Sequence, residues 1–277
     1  MKTDKTVYLL VTCCMEQSRY DALVQVLAQL KVSGIQDAIA PHLTVFDNGS
    51  VYKQTQELLA STFDNTSSRV YRASENMGYW SAIKWYLDNV DLQNYKFIHI
   101  IESDHFYYGS SNDLARVESF MLNNQEVGAV RLQEYDVQHR HLYNKTLQRA
   151  DGRRYAWVSH VNHVTGDKVR IEQSITDPAI FKTNFLAVLH CMTRVKPFKA
   201  VFDDLAKMDR FSENDYQRLF YEHYPTIGLL DGGIFHAKLG FTLGNSKIVS
   251  GSWSNNLRSI GYVKTRSDSI RSYKEVI

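Results

Sequence analysis

Two acids stand one residue apart where an apolar run stops: Tyr95–Ile101 (YKFIHII) leads into Glu102-Ser103-Asp104. Carboxylates at the end of a buried strand lose hydration and need a positive partner. Their hard oxygens suit Mg²⁺ or Mn²⁺, and such a cation in turn holds a diphosphate. The same pair taken alone also fits a helix cap or a surface turn. Asp47-Asn48-Gly49-Ser50 follows another apolar run. It reads as a turn in which Gly49 permits positive φ, or as a place where Asp47 accepts hydrogen bonds from a base or a ribose. Asn76-Met77-Gly78 precedes a third patterned stretch, with Asn76 as a helix cap or a sugar contact. Later, Glu213 and Asp215 open a helical pattern. Acids are favoured there by the helix dipole and are also suited to take a proton from an attacking hydroxyl. His236 follows Gly232-Gly233-Ile234-Phe235, and a lone histidine of this kind is structural or ligating.

The elements that must carry these groups alternate. The patterns predict strands over Thr6–Thr12, His42–Phe46, Arg69–Arg72, Tyr95–Ile101 and Val127–Leu132. Between them, helical spacing covers Ser18–Leu30, Gln54–Thr62, Gly78–Leu87 and Leu114–Leu122. Strands alternating with helices imply right-handed βαβ units on a parallel sheet. Ligands of such sheets bind beyond the carboxyl ends of the strands. Thr12-Cys13, Asp47-Asn48, Arg72–Asn76 and Glu102-Ser103-Asp104 all fall at those ends. Further helices are expected at Lys199–Met208 and Glu213–Tyr224, then a glycine-rich strand over Thr226–His236.

The middle of the chain is different. From Gln138 to Arg170 it carries Arg140, Lys145, Arg149, Arg153, Arg154, Lys168 and Arg170 against Asp151 and Asp167, with Tyr143, Tyr155 and Trp157 interleaved. This is a solvated face or a surface for a polyanion, where cations meet phosphates and rings stack on bases or sugars. His139, His141, His160 and His163 lie in the same stretch without a zinc pattern, and read as part of a polar acceptor surface. Asp177-Pro178 marks a turn, with Ala179-Ile180-Phe181 after it.

The chain has 277 residues with 32 basic and 30 acidic side chains, so a globally charged nucleic-acid wrapper is excluded. An apolar share of 44% excludes disorder. Three cysteines, two of them adjacent, build no disulfide framework, and a reducing, cytoplasmic setting is the expectation. No run is long enough for a membrane span. The run Val7–Val11 resembles a short signal peptide and Leu10–Cys13 a lipoprotein box, but Asp4 and the brevity of the run favour a first core strand.

In order along residues 6–110, the first strand, Asp47-Asn48-Gly49-Ser50, Asn76-x-Gly78 and the strand ending in Glu102-x-Asp104 resemble the nucleotide-binding half of GT-A glycosyltransferases, the family 2-like group. That resemblance implies an α/β fold with a mixed, mostly parallel sheet flanked by helices. It implies one domain over 1–277, with a nucleotide-sugar half at 1–132 and an acceptor half at 133–277. It implies a donor such as a UDP-sugar, contacted by Thr12, Asp47, Asn76, Gly78 and Ser103. Mn²⁺ or Mg²⁺ would be held by Glu102, Asp104 and the late His236. Glu102 stands where the family usually has Asp, and reaches further. Glu213-Asn214-Asp215, with Arg218 three residues on, resembles the family's acidic helix start, which points to Asp215, ahead of Glu213, as general base. The acceptor is then a glycan or, given the basic middle, a hydroxymethylated DNA base. A nucleotidyltransferase would need a glycine-rich, basic loop after the first strand, which Thr12–Glu16 (TCCME) lacks. A non-catalytic sugar- or nucleic-acid-binding protein is the remaining rival.

Overall fold

A computed structural model describes residues 5–133, 147–148, 150–162, 164–184, 190–208, 211–237 and 271–272. Of the histidines in the basic stretch, His139, His141 and His163 lie outside these, and for His160 only the backbone is described.

Strand β1 (Thr6–Thr12) is buried along its whole length. Val7, Leu9 and Val11 face one core while Tyr8 and Leu10 face another, as the two-residue period of a central strand requires. Around it run α1 (Gln17–Val32), α2 (Ile35–Ile39), β2 (Leu43–Asp47), α3 (Lys53–Phe63), β3 (Arg69–Arg72), α4 (Tyr79–Asn89), β4 (Phe97–Glu102), β5 (His105–Tyr107), α5 (Ser111–Asn123) and β6 (Val127–Arg131). The second half continues with β7 (Leu147–Gln148), β8 (Arg154–Val161), β9 (Lys168–Gln173), β10 (Ile180–Thr183), β11 (Cys191–Arg194), α6 (Val195–Leu205), α7 (Glu213–His223), β12 (Thr226–Leu230), β13 (Phe235–Ala237) and β14 (Arg271–Ser272).

Among the described residues, twelve strands join one sheet in the order β14-β3-β2-β1-β4-β11-β6-β12-β10-β9-β8-β7. The first half is parallel, β3, β2, β1 and β4 pairing side by side. The second half enters differently. Strand β11 lies antiparallel between β4 and β6, and β10, β9, β8 and β7 extend the sheet as an antiparallel ladder. In β9 buried and exposed residues alternate over its first four positions, the pattern of a sheet with one wet face. The single strand expected over Thr226–His236 is two. Gly232 and Gly233 both take positive φ and end β12, and β13 then pairs with β5 in a separate ribbon.

Helices cover both faces of the sheet. On one, α1, α2, α3 and α5 bury Leu23, Leu27, Ile35, Leu59, Leu114 and Phe120. On the other, α4, α6 and α7 meet in an aromatic knot, where the Trp80 ring lies 5.4 Å from Phe202 and 5.5 Å from Tyr216. Edge-to-face and tilted contacts of this kind add to plain area burial. No helix among the described residues is long and apolar enough to cross a membrane.

Candidate active site

The register of the parallel half puts the polar strand ends at one level. Thr12 of β1 pairs with Asp47 of β2, and Val11 with Glu102 of β4. The turn after β2 is stitched shut. Asp47 Oδ1 accepts the Ser50 N–H at 2.9 Å, Ser50 Oγ accepts the Cys14 N–H at 2.7 Å, and Asn48 Oδ1 accepts the Met77 N–H at 2.9 Å. Asn76 Oδ1 takes the Gly78 N–H at 2.8 Å and an amide N–H of Asn48 at 3.1 Å. Gly49 is obligatory: φ is 70°, and a Cβ there would fall 2.1 Å from the Glu75 carbonyl carbon. Gly78 starts α4 at φ 84°.

Asp47 is therefore not a free base-contacting group. It is fully buried, and its other oxygen lies 3.4 Å from the Arg72 guanidinium. A buried carboxylate needs such partners. Arg72 is taken up in the same way, its guanidinium also donating to the Ser50 carbonyl at 2.9 Å. Thr12 is buried beside Cys14, its hydroxyl 3.5 Å from the thiol.

Glu102 closes β4, and a tight turn through buried Ser103 and half-buried Asp104 leads into β5. Burial, with the Asp104 carboxylate beside it, pushes the Glu102 carboxyl up to about 8. Burial also raises Asp104, and Arg19 of α1 works against the rise on both. Paired hard oxygens at a desolvated strand end fit a Mg²⁺ or Mn²⁺ ion.

Three further groups surround Glu102 Oε1. The Tyr79 hydroxyl donates to it at 2.9 Å, and His105 Nε2 and His190 Nδ1 each lie 3.8 Å away. The ligand-type atoms of Glu102, His105 and His190 fall within 4.8 Å of one another. The His105 imidazole does not suit a metal as it stands. His105 Nδ1 accepts the Glu102 N–H at 3.1 Å, so the neutral ring carries its proton on Nε2, the atom that faces Glu102. Metal-bound histidines use the opposite arrangement, donating from the nitrogen that is not ligated. Burial keeps His105 neutral and lowers His190 to about 3.

The acids of α7 separate. Asp215 turns back on its own helix, where Oδ2 accepts the Ser212 N–H and hydroxyl at 2.8 Å each, a capping box. Those bonds hold its carboxyl below the usual range. Glu213 is half-buried and accepts an amide N–H of Gln217 at 3.1 Å. Burial raises its proton affinity, and its charge is felt at Glu102. The structure separates the two acids: Asp215 caps its own helix, and the charge of Glu213 is felt at Glu102.

His236 pairs across the ribbon with Phe106, and its exposed ring stacks on Phe106 and Tyr108, both at 5.9 Å. Phe235 takes the other face and stacks on His105 at 4.4 Å. Asp177 forms a turn, accepting the Ala179 N–H and approaching Arg116 at 3.5 Å, and β10 follows it. In the basic stretch Arg153 pairs with Asp151 and Glu172, and Arg154 with Asp231. These charges are compensated within the fold. Burial pushes the Cys13 and Cys191 thiols up to about 12, which makes them poor nucleophiles.

Tyr79, His105, His190 and Arg19 were not legible beside Glu102 from the sequence, whereas Arg72 stands at a strand end that the pattern marks. Tyr79 and His105 sit next to motifs and were open to discovery. His190 carries no local signal, because only the antiparallel insertion of β11 beside β4 brings it to Glu102.

These features define a GT-A-like fold, a mixed α/β sheet with its polar strand ends gathered at one crevice. Among solved structures, that of GalNAc-T7 with UDP, GalNAc and Mn²⁺ is similar at 9% identity and a TM-score of 0.51. The similarity covers 84% of this chain and 43% of that one, so this chain spans less than half of GalNAc-T7. A 4-diphosphocytidyl-2C-methyl-D-erythritol synthase from Anaerococcus prevotii matches at 9% identity over 88% and 99% of the two chains, with a TM-score of 0.45. The mannosyltransferase Ktr4p from S. cerevisiae matches at 11% over 51% and 42%, with a TM-score of 0.31. Of these three, the first overlaps closely enough to define the fold. No family model and no curated protein matches the sequence.

Proposed function

We propose that the protein is a metal-dependent glycosyltransferase that moves a sugar from a nucleotide-diphosphate sugar, a UDP-sugar first of all, to the hydroxyl of a glycan acceptor. The observation that carries this is the pair Glu102 and Asp104 at the end of β4, brought level with Thr12 and Asp47 by the register of β1 with β2 and β4. The Mn²⁺ and UDP of GalNAc-T7, a protein of similar fold, support the donor class.

Glu102 and Asp104 would hold Mn²⁺ or Mg²⁺, which would supply charge neutralisation for the departing diphosphate. Arg72 and the stitched loops at Asn48 and Asn76 line the nucleoside end. On the acceptor side, Glu213 takes the hydroxyl proton as the new bond to the anomeric carbon forms and the bond to the diphosphate breaks. Holding donor and acceptor in one crevice supplies the orientation. His236 keeps its stacking role on Phe106 and Tyr108. Arg153 and Arg154 are each paired with acids, which leaves these two less available to a polyanion and supports a glycan ahead of DNA.

The test is a thermal-shift panel of nucleotide diphosphates and their sugars, with and without Mn²⁺. A donor that binds the native state raises the melting temperature by mass action. Mn²⁺-dependent stabilisation by a UDP-sugar that disappears in Asp104→Asn is the expected result. Equal stabilisation of both proteins, or none by any donor, would sink the proposal.

A further inference from the structure

We infer that Tyr79, His105 and His190 form a cradle that positions Glu102, fixing one carboxylate oxygen inside the protein so that the other is presented to the cation. The inference rests on Glu102 being a cation ligand, as proposed above.

The asymmetry of the carboxylate is the first ground. Tyr79, His105 and His190 all converge on Oε1, while Oε2 has no partner among the described residues and the side chain remains 31% exposed. The second ground is the state of the imidazoles. His105 Nε2 and His190 Nδ1 are buried without a hydrogen-bond partner among the described residues. A buried N–H left unmatched is costly, and Glu102 Oε1 is the acceptor before His105 Nε2, with His190 Nδ1 at the same distance from it. At 3.8 Å these are attractions in a low-dielectric setting rather than formed bonds. The third ground is the backbone of His190. Its φ of 61° is left-handed, a conformation that non-glycine residues keep where the surroundings demand it. Here it sets the ring edge-on to His105 at 4.8 Å and over Glu102.

The cradle also accounts for glutamate in place of aspartate. Glutamate has one more rotatable bond, and ordering a long side chain costs entropy when it binds. A side chain already held on one oxygen has lost that freedom before the cation arrives. The Tyr79 hydroxyl reaches the site from the first turn of α4, immediately after Asn76-Met77-Gly78. The nucleotide-side loop is thereby tied to the acid at the end of β4. Tyr79, His105 and His190 are positioning residues: they act through Glu102 and touch neither donor nor acceptor.

The experiment is an electron paramagnetic resonance titration of free Mn²⁺ against the full chain in the presence of UDP, with near-ultraviolet circular dichroism as the check on folding. Tyr79→Phe keeps the ring and removes the hydroxyl. His190→Gly keeps the left-handed backbone and removes the imidazole, and His190→Asn restores a donor near the Nδ1 position. We expect Tyr79→Phe and His190→Gly each to weaken Mn²⁺ about tenfold or more, the range for groups that orient a ligand. His190→Asn should recover most of the loss. In a Glu102→Ala background, Tyr79→Phe should add nothing, because its effect passes through the missing carboxylate. Wild-type affinity in both Tyr79→Phe and His190→Gly, with Glu102→Ala impaired, overturns the cradle and leaves the metal site standing. Wild-type affinity in Glu102→Ala overturns the metal site and the cradle with it. A Tyr79→Phe loss that persists undiminished without Glu102 also overturns the cradle. Should His190→Gly fail to fold, the Tyr79→Phe and Glu102→Ala cycle decides alone.

Discussion

Glu213 and Asp215 are two residues apart on one helix start, yet their surroundings give them opposite tasks. Burial raises the proton affinity of Glu213, whereas the Ser212 N–H and hydroxyl lower that of Asp215. A group meant to accept a proton gains from the first setting and is disabled by the second. Glu213→Gln should therefore lower kcat about a hundredfold or more, with the KM for donor little changed, as steady-state sugar transfer would show. Asp215→Ala should leave kcat near wild type and cost about 1 kcal/mol of stability through loss of the capping box, read from urea midpoints. A kcat loss in Asp215→Ala equal to that of Glu213→Gln would reverse the assignment.

At the scale of elements, the site depends on loops that are bonded to one another rather than to solvent. The Asp47–Ser50 turn holds Cys14 after β1, Arg72 at the end of β3 and Met77 ahead of α4. Gly49 is the point where this stitching admits no side chain. Gly49→Ala would meet the Glu75 backbone and adopt a strained φ, so it should destabilise by more than about 1 kcal/mol. The loss should appear in urea unfolding and as weaker UDP binding in thermal shift. Stability unchanged from wild type would show that the turn yields and that the lattice of bonds around it matters little. The β5–β13 ribbon acts likewise: its Phe235 face packs on His105 and Tyr107 and so backs the acid cluster from beneath.

For the whole molecule, the buried histidines predict how stability follows pH. His99 sits inside the sheet, where Nδ1 donates to the Cys191 carbonyl at 3.1 Å and Nε2 accepts from the Tyr107 hydroxyl. Burial lowers it from 6.5 to about 4. Between those values the unfolded chain takes up a proton that the folded chain refuses. The part of stability that His99 supplies is then complete above pH 6.5 and falls as pH drops toward 4, at about 1.4 kcal/mol per pH unit, while Glu102, raised to about 8, works in the opposite direction between 4.5 and 8. Urea midpoints at pH 7 and pH 5 should show the decline, and His99→Asn should make it shallower. An identical slope in that variant would assign the acid sensitivity elsewhere.

Much of the first half of the chain is written locally. Its strands and helices follow from apolar periods of two and of 3.6 residues, and each strand breaks off at a polar residue that marks the crevice. Glu102, Asp104, Asn48 and Asn76 were legible for that reason. Roles were less so, because a motif states which groups arrive at a strand end and not which partners consume them. Asp47 looked available until Arg72 and Ser50 were seen to occupy it, and Asp215 looked catalytic until its carboxylate was found on Ser212. The antiparallel half was the least legible. The order of its strands depends on pairings between residues far apart in the chain. Sequence alone therefore determined the acids and the strand that delivers them. The long-range pairing of β11 with β4 determined that the His190 imidazole would reach one of those acids, since such a neighbour has no local period to announce it.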